Sequence, residues 1–267
     1  MNPSFLITSR LPATLDLAAE PQSVAGGAAI KIHILAHPAA LPVSYPFVAN
    51  HLTGLIETYD PDYILHIGMA GGREYYTLET LAHRDGYRIR DIDGRDGYRA
   101  GEERWKAEGL PGVLEVGWGL RDVERRWRAE LGLDAAPEGV LYGGEGRART
   151  VGGEEAKVRL STDAGHFLCD FTIFESLSRR WLAARRDPRA GERVGKVAFL
   201  HVPGDTTGAG VARGIRVTEA AIRALVGSWE NGARNDGVEV GAVREQEERR
   251  KALERERGRR MGLGLFG

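Results

Sequence analysis

Apolar and polar positions alternate along this chain with two different periods, and the changes of period mark out its elements. Asn2-Pro3-Ser4 reads as a helix start, a capping residue with proline in the first turn, and the helix runs toward Pro12. In "AAIKIHILAH" (residues 28–37) Ile30, Ile32 and Ile34 fall on one face with a period of two, which predicts a strand. Helical spacing follows over residues 43–59, with Val48, Leu52, Leu55 and Ile56 on one side, and Pro61-Asp62 ends it. "YILHIGMAGG" (residues 63–72) predicts a buried strand running into a glycine loop.

Residues 83–104 are polar and charged and read as a long loop, "GVLEV" (112–116) as a strand and residues 120–132 as an amphipathic helix. Residues 134–157 carry glycine and charge without periodicity and read as a mobile loop. "KVRLS" leads into "TDAGHFLCDF". The next helix, residues 171–186, places Phe171, Phe174, Leu177 and Trp181 on one stripe. "KVAFLHVP" (196–203) is a buried strand closed by proline, and residues 216–229 form a helix with Thr218 as its expected cap. Strands alternating with helices predict an α/β fold with a largely parallel sheet, whose functional groups gather at the carboxyl ends of its strands.

Composition narrows this picture little. The 267 residues are 42% hydrophobic and 28% charged, with a net charge of −1. That is an ordinary globular balance, with no bulk attraction to nucleic acid or to an anionic membrane. No run approaches the roughly 18 apolar residues of a spanning helix, no signal peptide is evident, and a single cysteine excludes a disulfide scaffold. A cytoplasmic location is the expectation. Past Trp229 the character changes: residues 244–260 hold eight Arg or Lys and five Glu, the pattern of a solvated helix or a disordered tail.

Three residues stand out chemically. Cys169 lies beside a helix start, where partial positive charge favours thiolate, after an Asp-Ala-Gly turn that aims backbone N–H groups at one point. Read locally, it is either an activated nucleophile or a small buried hydrophobe. His201 ends an apolar strand at the rim of the sheet, the placement of a general base or of a core histidine bonded to a carbonyl. Glu79, in a segment read as a short helix or turn, is either an orienting carboxylate or a surface residue. The His33/His37 pair sits on a strand rather than a helix and lacks further ligands, so no metal site is expected there.

The motifs "LPVSYPFV", "PDYILHIGMAGGREYYTLETLAHRDGY", "STDAGHFLCDFTIFESL" and "AFLHVP", in this order, resemble the pyroglutamyl peptidase I (pyrrolidone carboxyl peptidase) family, and the form "LE…AH…GY" resembles its eukaryotic-type members. The resemblance covers residues 2–228. It implies a three-layer α/β/α sandwich with a twisted, largely parallel (mixed) central sheet over residues 1–230, an insertion at about 134–157, and an appended charged segment, 231–267.

It further implies a Cys–His–Glu triad of Cys169, His201 and Glu79, acting on peptides with an N-terminal pyroglutamyl residue, with Phe167 lining the lactam pocket. Neither metal nor organic cofactor is expected, nor a nucleic-acid or membrane partner; the oligomeric state is left open. The chain opens at "MNPSFL", where the family has a first strand and a "GFGPF" loop. Their lack is expected to expose strand edges and to remove part of the pocket, which keeps a non-catalytic binding protein on the same fold as the alternative reading.

Overall fold

A computed structural model describes residues 2–18, 29–133, 156–235 and 237–263. The expected insertion lies almost wholly outside the described residues. Helix α1 (Pro3–Thr8) starts as its sequence dictates: the Asn2 side chain accepts the Ser4 N–H at 3.0 Å, and proline occupies the first turn. Strand β1 (Thr14–Leu17), too short to show a period in sequence, pairs antiparallel with β2 (Ile30–His33) as a separate two-stranded sheet.

Helix α2 (Tyr45–Tyr59) is followed by β3 (Ile64–Met69), β4 (Tyr76–Glu79) and β5 (Leu81–His83). A π-turn at Tyr98–Glu102 leads into α3 (Glu103–Ala107), then β6 (Val113–Glu115) and α4 (Leu120–Glu130). The chain closes with β7 (Val158–Ser161), α5 (Leu168–Arg186), β8 (Val197–Val202), α6 (Gly208–Glu230) and α7 (Val238–Leu263).

The central sheet has the order β3-β8-β4-β7. β8 runs parallel to β3 and antiparallel to β4, and β4 runs parallel to β7, so the sheet is mixed and mostly parallel. Its two faces follow from the period-two alternation of β8 and β4. Ala198, Leu200 and Val202, with Tyr76 and Leu78, join the core under α1, α4 and α6. Val197 and Phe199 point the other way, into the core under α2 and α5. The result is the expected α/β/α arrangement. β3 forms one edge of this sheet, and its residues from Ile64 to Gly68 are half-buried.

Four local expectations need correction. The segment of Glu79 is strand β4, not a helix or turn, because Tyr76 and Leu78 alternate into the core. Residues 83–104 are not featureless: buried Tyr87 pins the π-turn that leads into α3, and buried Trp105 anchors α3 itself. The helix of Cys169 begins at Leu168 rather than Phe171. Helix α6 starts ten residues before Thr218, at Gly208. Its cap is Thr207, whose Oγ1 accepts the Gly210 N–H at 3.0 Å, while buried Thr218 donates to Gly214 O.

The charged C-terminal segment is helical, and its first turn is docked. Helix α4 follows Gly119, which has no side chain to cap it; Glu239 Oε2 accepts the Leu120 N–H instead, at 2.5 Å, and Val240 is buried in the core.

Helix α5 is tied to α3 through the fully buried Glu175. One carboxylate oxygen accepts from Trp105 Nε1 at 3.0 Å and from Arg104, and the other accepts from Arg179 Nε at 2.8 Å. Removing that acceptor leaves the buried indole N–H without a partner. Glu175→Ala is expected to lower unfolding free energy by about 2–4 kcal/mol, measured by urea denaturation, and Glu175→Gln by clearly less, since an amide oxygen still serves Trp105.

Candidate active site

The alternation that sorts the core also sorts the chemistry. On β8 the face of Val197 and Phe199 next carries His201, and on β4 the face opposite Tyr76 and Leu78 carries Thr77 and Glu79. Thr77 is the register partner of His201, so Glu79 stands diagonally across from it on the same face. The imidazole Nδ1 and Glu79 Oε1 are 2.7 Å apart, with the two residues 4% and 2% exposed. Such a bond fixes the ring's orientation and leaves Nε2 as the working nitrogen.

Cys169 reaches the same face from above. It occupies the first turn of α5, where backbone N–H groups have no intrahelical acceptor. Its sulfur lies over Gly68 of β3, the register partner of His201. A Cβ placed on Gly68 would stand 2.5 Å from Phe199 Cζ and 3.2 Å from Cys169 Sγ, so only glycine lets strand, ring and sulfur meet here. Three residues separated by up to 122 positions thus converge on one patch. Phe167, the residue before α5 and two before Cys169, packs edge-on against Tyr45 with ring centroids 5.8 Å apart.

Sequence reasoning missed Arg73, which follows the glycine loop. Its guanidinium donates to Thr77 Oγ1 at 2.7 Å, to Glu79 Oε1 at 3.0 Å and to Asp163 O at 3.0 Å. It thereby ties the carboxylate to the turn that precedes Cys169. An arginine next to glycines carries no motif of its own, so nothing local marks it. His66, also on this face of β3, is a core histidine: it bonds Ser176 Oγ at 2.9 Å, and burial, with Arg180 nearby, pushes its pKa down to about 4.

The thiol departs from expectation. A helix start favours thiolate, yet burial, reinforced by the negative charges of Glu79 and Asp170, pushes the Cys169 pKa up to about 12. Arg73 and the residue's own backbone N–H oppose this only in part. Burial and these charges thus favour the neutral thiol at Cys169.

No protein-family model matches the chain. Individual proteins do. The pyroglutamyl-peptidase 1 of Rattus norvegicus is 26% identical over 167 residues, which are 62% of this chain and 61% of the rat protein. The human pyroglutamyl-peptidase 1-like protein is 31% identical over 163 residues, 61% of this chain and 62% of its own. The chain thus spans a little over three fifths of the length of these relatives. Among solved structures, the pyrrolidone carboxyl peptidase from Thermococcus litoralis superposes with a TM-score of 0.56 at 17% identity, covering 86% of this chain and 88% of that one.

The fold is therefore that of the pyrrolidone carboxyl peptidases. In sequence, over 163–167 residues, the chain is similar to proteins named pyroglutamyl peptidases.

An unfolded cysteine titrates near ~8.5, so a folded value near 12 means that the folded state holds its proton more tightly. This contribution to stability is complete below the unfolded pKa and is lost as pH rises toward the folded one. Iodoacetamide, which consumes thiolate, is expected to modify Cys169 more slowly than it does the urea-unfolded chain at pH 8, with the rate climbing only at strongly alkaline pH. Glu79→Gln, which removes one of the charges raising the pKa, is expected to speed the reaction.

Proposed function

We propose that the protein is a thiol exopeptidase that removes an N-terminal pyroglutamyl residue from peptides. The observation that carries this reading is the convergence just described. An imidazole is held by a buried carboxylate at 2.7 Å, and a cysteine sulfur sits over the glycine paired with that histidine. The likeness to proteins named pyroglutamyl peptidases supports the choice of substrate.

In this mechanism Cys169 Sγ attacks the pyroglutamyl carbonyl carbon while its proton passes to His201 Nε2. Proton transfer coupled to attack is what a thiol of raised pKa requires. Glu79 holds the ring and stabilises the imidazolium, and Arg73 keeps the carboxylate in place. The negative charge on the carbonyl oxygen falls near the start of α5, where the N–H of Cys169, which has no intrahelical acceptor, supplies hydrogen bonding. His201 then gives its proton to the departing amine, and the C–N bond breaks. A thioester of Cys169 remains. Water, deprotonated by the same imidazole, attacks it and frees pyroglutamate and the thiol.

The lactam ring carries no charge, so an aromatic side chain such as the half-buried Phe167 suits it better than a basic pocket.

The test is hydrolysis of a pyroglutamyl aminomethylcoumarin amide. Cys169→Ala and His201→Ala are each expected to cut kcat/KM by about a thousandfold or more. Glu79→Gln is expected to cost roughly a hundredfold or more, because the ring loses its fixed tautomer. The corresponding leucyl amide should stay uncut. Equal rates in wild type and Cys169→Ala would overturn the assignment, and saturable pyroglutamate binding without turnover would mark a binding protein instead.

A further inference from the structure

A second cluster of ligating groups stands behind the nucleophile. Asp170, the residue after Cys169, is fully buried, yet its carboxylate serves two histidines from different segments. Its Oδ1 accepts the backbone N–H of His83 at 3.0 Å, which locks the carboxylate in one orientation. Its Oδ2 lies 3.1 Å from His83 Nδ1 and 3.5 Å from His166 Nδ1. The imidazole centroids are 4.5 Å apart, and one ligand atom from each of the three residues lies within 4.8 Å of the others.

This clustering has the marks of a shaped site. His166 has φ of 36°, the left-handed region that favours glycine, and this conformation brings its ring back over Asp170. Gly86 makes room for that ring: a Cβ there would stand 3.1 Å from His166 Nδ1. The loop after His83 is pinned in turn, because Glu102 Oε1 accepts the N–H groups of Gly86 at 3.0 Å and Tyr87 at 2.8 Å. His83 is half-buried and His166 exposed, so the cluster opens to solvent.

We propose that His83, His166 and Asp170 form a binding site for a divalent transition-metal ion of the zinc class. Two imidazoles and one carboxylate are the donor set such ions take, with water or substrate completing a tetrahedron. In a tetrahedral shell with bonds of about 2.0–2.2 Å, neighbouring ligand atoms lie roughly 3.3–3.6 Å apart. The two separations from Asp170 Oδ2 already fall near that range. His166 is exposed, so its ring has room to turn toward an ion. The backbone bond to Oδ1 supplies the outer support that a metal-ligating carboxylate needs. The site adjoins Cys169 in sequence and is independent of the triad, so its existence does not rest on the peptidase reading.

Cobalt(II) tests it without an activity assay. Chelator-treated full-length protein, titrated with Co(II), is expected to give visible absorption of tetrahedral intensity saturating at one equivalent, displaced by Zn(II). Zn(II) should also raise the melting temperature. His166→Ala, a change at an exposed residue, is expected to weaken binding at least about tenfold, as is His83→Gln, while melting without metal confirms that both remain folded. Cys169→Ala should bind as wild type does. Absence of saturable binding up to about 100 µM metal would overturn the proposal. So would binding lost in Cys169→Ala but kept in His166→Ala, which would assign the ion to the thiol.

Discussion

Strand β8 has no solvent face: all six of its residues are buried, and it is hydrogen-bonded to β3 on one side and to β4 on the other. Everything else in the site is referred to it. Its alternation decides that His201 looks toward α5 and away from α6. Its antiparallel register with β4 brings Glu79 diagonally beside the ring, and its parallel register with β3 sets Gly68 beside His201, leaving space for the sulfur. A slip of one residue in either pairing would turn a partner to the opposite face and dismantle the constellation without changing any of its residues.

The second organising feature is the set of carboxylates buried on the α5 side: Glu79, Asp170 and Glu175. Taking a carboxylate out of water costs several kcal/mol unless partners replace the lost hydration. The His83 backbone and ring serve Asp170, and Trp105 with two arginines serves Glu175; Arg73 and His201 serve one oxygen of Glu79, while its other oxygen, also buried, has no hydrogen-bond partner among the described residues. Most of these ties cross between elements far apart in sequence, so they fix the position of α5 and with it Cys169. The same charges raise the thiol pKa. The charges that hold α5 in place therefore also disfavour the thiolate at Cys169.

Much of the fold was legible from periodicity, because β3, β8, α2 and α5 are long and their apolar positions repeat cleanly. Strand β1 was not legible, since four residues with one buried leucine show no period. Glu79 was seen as a candidate but set on the wrong element: "YYTLETLAH" satisfies helical and strand spacing alike, and only pairing with β7 and β8 decides. Thr218 looked like a cap because the glycines before it read as loop, yet Gly214 is where Ile7 of α1 packs close against α6, so the helix runs through it. Glu79, Cys169 and His201 were singled out through motifs in order, and the fold brings the three to one face. The His83–His166–Asp170 cluster was not, because its members belong to separate segments and converge only once β5 lies against α5. Arg73 was invisible for a similar reason, as its three partners are fixed by the fold.

The strand order also has a consequence in time. β3 and β4 follow each other in the chain but do not touch in the sheet, because β8 lies between them. On a ribosome, β4 and β7 can pair once residue 161 has emerged, whereas among the described strands β3 has no partner until residue 202 is out. For that interval its apolar residues and backbone groups wait for the central strand to slot in from far downstream. Long-range insertion of this kind is slow and leaves the nascent chain open to association with other chains. The strand that completes the site is also the one whose late arrival makes the whole sheet cooperative.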